Sequence, residues 1–497
     1  MKPVRSDMPY PDAPRVAGHI ASLYGLRGIV DAGLAWSPEL GLRYGKLRVT
    51  GVTAPGLAAV EPAEYEFGRP IDLLDQAATG KLARIDASRT GLLVSGPATR
   101  LCGPDGVLGR LADLVAAAPL IVVATDDAAA VKAEMAMRGL QPELAGSTRS
   151  RTGSDDRSAG LLIYDRALAR VRQAAGPAPR DFKVVAILAV YNEQDVVGPT
   201  IQKLQDDGVG VYIVDNWSTD QTYDIVRGFE GRGLVGHERF PATAGDVFPF
   251  VELLKRIEAI PAELGPGWYI HADADERRSG PWPGMTLREA LWLVDRSGFN
   301  AVDHTVINYR PIDNGFQPGT DYETYFRYFE MGRSADLLVQ IKAWKNVGRV
   351  DLASSAGHQA AFPGRHVFPY KFLVKHYPIR SQSHGEQKVF RERGTRWDAR
   401  ELARGWHHQY DQVAPKQSFL RDPHDLVEDR GEATRALYLG EMITGAGLSS
   451  SRLPGWAMGG PLRRTLYLRS RPITRSRPYQ SLRRLALAPV KRARKAG

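Results

Sequence analysis

Between Lys183 and Gly298 the chain repeats one pattern four times: an apolar run, then a stretch with helical spacing. The runs are KVVAILAV (183–190), VGVYIVD (209–215), GLVGHERF (233–240) and GWYIHAD (267–273). The first is almost uninterrupted in apolar residues, as a strand buried on both faces of a parallel sheet must be. The intervening stretches are about 194–204, QTYDIVRGF (221–229), VFPFVELLKRIEAI (247–260) and TLREALWLVDRSG (286–298), the last closed by Gly298. This alternation predicts an α/β fold, a mostly parallel sheet with helices on both faces.

A chain of 497 residues is too long for one ordinary domain. The first 175 residues read as a smaller N-terminal α/β domain. Its clearest unit is the strand PLIVVAT (119–125) followed by the helical DAAAVKAEMAMRG, which ends at Gly139. GSTRSRTGSDDRSAG (146–160) has the composition of a loop, and QAAGPAPRD (173–181) that of a linker. The expected division is therefore 1–175, 182–400, a helical extension over 401–461, and a tail over 462–497.

The tail carries twelve of the 66 Lys and Arg residues and no acid. Without it, 54 basic residues face 56 acidic ones, so the net charge of +10 says little about the body. Leu462, Leu466, Leu468, Leu482, Leu485 and Leu487 are interleaved with the basic residues, while Pro472, Pro478 and Pro489 forbid one continuous helix. An anionic membrane surface is the expected partner of such a segment, and nucleic acid is not. Cys102 is the single cysteine, which excludes an intrachain disulfide and a cysteine-built zinc site. No apolar leader opens the chain and no run reaches the length of a membrane span, so a cytoplasmic protein, peripheral at the inner face of the membrane, is expected.

Three of the four apolar runs end in polar, acid-bearing clusters: Tyr191-Asn192-Glu193, Asp215-Asn216-Trp217-Ser218-Thr219-Asp220, and Asp273-Ala274-Asp275-Glu276. In open α/β sheets, ligands bind outside the carboxyl ends of the strands, so the three clusters converge on one site. Ser218, Thr219 and Asp220 also suit a helix N-cap, but caps alone do not account for three clusters at matching strand ends. Two aspartates two residues apart can share a hard divalent cation, magnesium or manganese, with phosphate oxygens completing its shell. No glycine-rich phosphate cradle follows any of these strands. A metal-bridged diphosphate, with Asp215 and its neighbours holding a base or ribose, is a coherent substitute.

The segments AVYNE, IVDNWSTDQT and YIHADADE, in this order and spacing, resemble the three hallmark segments of glycosyltransferase family 2, over roughly residues 182–400. The resemblance implies a GT-A-like fold and a nucleoside-diphosphate sugar donor. It also implies that Asp215 contacts the nucleoside, that Asp273 lies near ribose and metal, that Asp275 ligates the metal, and that Glu193 sits near the nucleoside. Tyr191, Asn192, Asn216, Ser218 and Asp220 fall within the same donor-binding segments. KHYPIRSQSHGEQKVFRERG (375–394) is similar to the ending of a subgroup of these enzymes. There His376 would complete the metal shell, and Arg380, Lys388 and Arg391 would meet the diphosphate.

The chain departs from the family in lacking a Glu-Asp pair between Glu276 and His376, which leaves the base open. Asp313 and Asp321, in a Gly/Pro-rich stretch, are the candidates, with His358 as another. The expected reaction is transfer of a sugar, with inversion, to a hydroxyl of a glycan or lipid-linked acceptor in surface glycan synthesis. The rivals are a sugar nucleotidyltransferase and a non-catalytic binder of glycans or anionic polymers. The role of residues 1–175 is not legible.

Overall fold

The computed structural model describes residues 13–35, 46–54, 70–75, 80–149, 158–245, 247–331, 340–346, 348–393, 396 and 418–431. All of them belong to one compact unit. The basic tail lies outside the described residues. No helix among the described residues is long and apolar enough to cross a membrane.

The first sheet has seven described strands in the order β3-β2-β1-β4-β5-β7-β6. β1 (Gly28–Ala32), β2 (Arg48–Thr53), β3 (Ile71–Asp72), β4 (Thr90–Ser95) and β5 (Leu120–Thr125) are parallel. β7 (Ser158–Asp165) runs antiparallel to both β5 and β6 (Leu144–Arg149). The stretch 146–160, expected to be a loop, therefore ends in two paired strands, and only 150–157 lies outside the described residues. Its polar composition was the wrong guide: LLIY (161–164) docks on β5 and carries its neighbours into the ladder.

The second sheet has ten described strands. β8 (Val184–Val190), β9 (Gly210–Asp215), β10 (Leu234–Arg239) and β11 (Trp268–Asp273) are parallel, in the order β10-β9-β8-β11. Beyond β11 the sheet is mixed. β15 (Gln340–Lys345) is antiparallel to β11 and to β13 (Ala301–Tyr309). β16 (Phe372–His376) runs parallel to β13 and antiparallel to β12 (Glu276–Ser279). Parallel neighbours need a crossover of a dozen or more residues, usually a helix. No described helix between β13 and β16 exceeds four residues, so this half pairs largely antiparallel.

Of the extension 401–461, expected to be helical, residues 418–431 are described. They form a single 3₁₀ turn, Pro423–Asp425, and β17 (Val427–Glu428). β17 adds to β14 (Tyr328–Met331) at the far edge of the second sheet. Backbone pairing of Tyr328 with Glu428 and of Phe329 with Val427 holds the end of this piece extended.

The expected break near residues 173–181 does separate the two sheets, but their cores are continuous across it. Asp165, at the end of β7, is buried and accepts hydrogen bonds from the hydroxyls of Tyr24 (2.7 Å) and Tyr370 (2.6 Å). Its other oxygen caps helix Arg166–Ala175 through Leu168 N (2.9 Å). That helix packs on helix Leu287–Arg296, where Trp292 Nε1 donates to Ala175 O.

Candidate active site

Strand register brings the three sequence clusters to one level. Val190 pairs with Asp215, Asp215 with Arg239, and Ala189 with Asp273. The clusters thus follow β9, β8 and β11, three adjacent parallel strands, at their carboxyl ends.

The turns after β8 and β9 clasp each other. Asn192, at φ +54°, donates its backbone N–H to Ser218 Oγ (3.0 Å) and accepts from Thr219 N through Oδ1 (2.8 Å). Asp220 accepts from Thr222 N (2.9 Å) and Gln194 N (3.3 Å), so it closes its own turn and links it to the other. Asn tolerates the left-handed region, but Trp217 at φ +59° is a bulky side chain in an unfavourable backbone state. Its Nε1 donates to Pro241 O (2.7 Å), and the Arg239 guanidinium lies 5.0 Å from its ring.

Asp215 is wholly buried, accepts from Ser218 N (3.1 Å), and has Arg239 Nε at 3.4 Å. Burial pushes its carboxyl above the usual range, against the Ser218 hydrogen bonds. Asn216 is fixed by Phe240 O (2.9 Å) and by Arg396 (2.8 Å), whose guanidinium also lies 4.0 Å over the Tyr191 ring.

The third cluster is an ion network. Lys388 Nζ sits 2.9 Å from Glu193 Oε1 and 2.9 Å from Asp275 Oδ2. Arg380 binds Glu193 Oε2 (2.7 Å) and Asp195, while Arg278 and Lys342 hold Glu276. Lys342 Nζ also meets Asp273 Oδ2 at 3.3 Å. Arg380 and Lys388, expected at the diphosphate, are 1% and 4% exposed, and carboxylates take their charge. They position the acid clusters. Burial alone would raise the Asp275 carboxyl, but Lys388 and then His376 outweigh it and hold it well below the usual range. Glu276 is held down in the same sense, by Arg278 and Lys342 against its burial.

Among the described residues, no three His, Cys, Asp or Glu side chains gather closely enough to enclose a metal. The expected trio Asp273, Asp275 and His376 is drawn together only in part. Asp275 Oδ1 lies 3.6 Å from His376 Nε2, and His376 Nδ1 is engaged by Asn308 Oδ1 (2.8 Å). An amide oxygen only accepts, so Nδ1 carries the proton and Nε2 keeps a lone pair beside the carboxylate. Magnesium and its analogues are commonly held by one or two carboxylates with phosphate oxygens. Here Asp275 supplies the carboxylate, one of whose oxygens meets Lys388 at 2.9 Å, and the other faces His376. Asp273 points elsewhere, its side chain 44% exposed beside Lys342.

The two proposed bases lie in the exposed stretch after β13. Asp321 caps the turn Tyr322–Tyr325, accepting from Glu323 N (3.0 Å) and Thr324 Oγ1 (2.6 Å). Asp313 accepts through Oδ1 from Gly315 N and the Tyr325 hydroxyl. Next to Asp313, Asn314 bonds Gln382 N (2.9 Å) and ties this stretch to the segment after His376. His358 engages Gln340 Nε2 (2.8 Å). Sequence reasoning missed Lys342, Arg239, Asn308 and Arg396. A lysine inside QIKAWK and an asparagine inside VDHTVINY, both on strands that are otherwise buried, were the available signals.

No known protein family and no curated protein matches this chain in sequence. Among solved structures it is similar to S. aureus TarS residues 1–349 in complex with UDP-GlcNAc, at 12% identity and a TM-score of 0.27, over 59% of this chain and 81% of that one. The same fragment with UDP gives 12% identity and a TM-score of 0.24, over 57% and 77%. Another TarS structure gives 14% and 0.23, over 39% of this chain and only 37% of its own length. At these TM-scores the likenesses carry no argument.

Proposed function

We propose that the protein is a glycosyltransferase that moves a sugar from a nucleoside-diphosphate donor to a hydroxyl acceptor, with a family 2-like site on a GT-A-like sheet. The observation that carries this reading is the alignment of three acid-bearing turns on the adjacent strands β9, β8 and β11, with Asp275 and His376 paired beside them. Asp215 accepts from a donor group of the base, and the half-exposed Asp273 receives a ribose hydroxyl. Asp275 and His376 would hold a divalent cation, manganese or magnesium, which when bound offsets the charge building on the departing diphosphate. Lys388 and Arg380 fix the direction of Asp275 and Glu193 before substrate arrives, which is the preorganisation that charge stabilisation requires. Trp217, held in a strained turn over the nucleoside side, is backbone strain of the kind stored at functional sites. Asp313 is the better base of the two acids, because Asp321 has both oxygens engaged in its cap. Direct displacement would invert the anomeric carbon.

The acceptor is a glycan or lipid-linked hydroxyl at an anionic membrane surface, on the cytoplasmic side, reached through the basic tail in the synthesis of surface glycans. About 1 kcal/mol per basic residue near such a surface suffices for reversible attachment. Incubation with a panel of nucleoside-diphosphate sugars, with manganese and with chelator, should release nucleoside diphosphate for one donor and only with metal. No release from any donor would overturn the reading. Full-length chain should sediment with anionic vesicles and residues 1–461 should not. Equal sedimentation would remove the membrane from the proposal.

A further inference from the structure

The first sheet has a carboxyl edge of its own that the proposed transfer does not use. Chain order runs β1, β2, β3 toward one side of the sheet, then resumes with β4 and β5 on the other side of β1. The direction of winding therefore reverses between β1 and β4. In open α/β sheets that reversal opens a crevice outside the strand ends, and ligands bind there.

Two details mark this crevice as built. At Gly33, φ is +123°, and a Cβ would lie 2.4 Å from Ser95 O and 2.6 Å from Ser95 Oγ. Only glycine lets the turn after β1 close on the end of β4. Ser95 is 2% exposed, and its Oγ, packed against Gly33, has no hydrogen-bond partner among the described residues. A buried hydroxyl left unmatched is costly, and a ligand group is a ready explanation for one at a switch point.

The edge also states what kind of ligand it takes. The turn reads Asp31-Ala32-Gly33-Leu34-Ala35, one glycine where a pyrophosphate cradle has several, with a methyl at Ala35 where the backbone would have to approach phosphate. The first three residues beyond each of β1 to β5 bring no Lys or Arg, whereas Asp72, Asp75, Asp126 and Asp127 stand at the ends of β3 and β5. Such an edge repels phosphates and accepts neutral or cationic groups.

We propose that the crevice between β1 and β4 is a second ligand site, for a nucleoside that carries no phosphate, with Ser95 Oγ as one of its polar contacts. It is independent of the sugar-nucleotide site on the second sheet. The test is calorimetry on the full-length chain with adenosine, the cationic nucleoside S-adenosylmethionine, ATP and NAD. One or both phosphate-free nucleosides should bind at least tenfold more tightly than ATP and NAD. Ser95→Ala removes an oxygen with no partner in the fold, so it should leave the unfolding midpoint unchanged. It should weaken nucleoside binding about tenfold and spare donor-sugar turnover. Asp215→Ala should leave nucleoside binding unchanged, which separates this site from the second sheet. Failure of both phosphate-free nucleosides to bind, equal binding of ATP or NAD, or unaltered binding by a folded Ser95→Ala protein would overturn the proposal.

Discussion

The two sheets follow the same winding rule and differ at their carboxyl edges. At the first edge the acids are spent locally. Asp72 accepts from Leu74 N, Asp126 from Ala98 N and Asp127 from Ala130 N, so each fixes a turn or a helix start. At the second edge Glu193, Asp195, Asp275 and Glu276 face cations from distant parts of the chain, namely Lys342, Arg380 and Lys388. Assembling buried charges is expensive, and an apolar replacement is often neutral or better for stability. The acids of the second edge therefore make sense as a functional arrangement and those of the first as an architectural one. Identical residue types carry opposite meanings according to who neutralises them.

The largest effect that could break this contrast is at Asp275. Asp275→Asn keeps the shape but removes the charge between Lys388 and His376. Turnover of a nucleoside-diphosphate sugar should fall by about a thousandfold or more, with the circular dichroism of the folded chain retained. Near-normal turnover at saturating manganese would reduce the second edge to architecture like the first.

Next in size is the join between the sheets. Asp165→Ala leaves the buried Tyr370 hydroxyl and the part-buried Tyr24 hydroxyl without their acceptor and removes the cap of helix Arg166–Ala175. At ~1–3 kcal/mol for each stranded polar group, the chain should lose about 3 kcal/mol or more of stability. Urea unfolding would measure it. A loss confined to the first sheet, with the second sheet's transition unmoved, would show that the shared core does not couple them.

How far these meanings were legible in the sequence follows from the same contrast. The four parallel strands and the acid-bearing ends of three of them were readable because apolar periodicity and strand-end position are local properties. The hairpin at 144–165 was not, since its pairing depends on β5 rather than on its own composition. Nor was the mixed half of the second sheet, where direction is set by which strands meet. Asp275 and His376, expected to share a cation, lie 3.6 Å apart. Lys388 and Arg380 were placed at the diphosphate because a basic residue on a helix looks exposed. Only the fold shows them buried against Glu193, 195 and 187 residues away in sequence.

The pH dependence of stability should also separate the two edges. Glu276 keeps its charge to lower pH in the folded chain than in the unfolded one, because Arg278 and Lys342 outweigh the effect of burial. The unfolded state then binds more protons as pH falls below about 4, so stability falls with pH in that range. Glu276→Gln removes that contribution, and its unfolding midpoint should decline less steeply than wild type between pH 5 and pH 2. Parallel slopes would mean that the ion network does not hold its charges.

The smallest expected effect is at the first edge and tests its architectural side directly. Asp127 is the N-cap of helix Ala128–Met137, and its Oδ1 accepts from Ala130 N at 3.0 Å. Replacing it with alanine should cost about 1 kcal/mol of stability, the typical cost of losing such a cap. Asp127→Asn should recover most of that, since asparagine caps as well as aspartate does. Neither variant should change the turnover of a sugar donor, because this acid neutralises nothing beyond its own turn. A drop in turnover with unchanged stability would be the opposite result. It would mean that an acid at the first edge serves the reaction, and the division of labour between the two sheets would have to be redrawn.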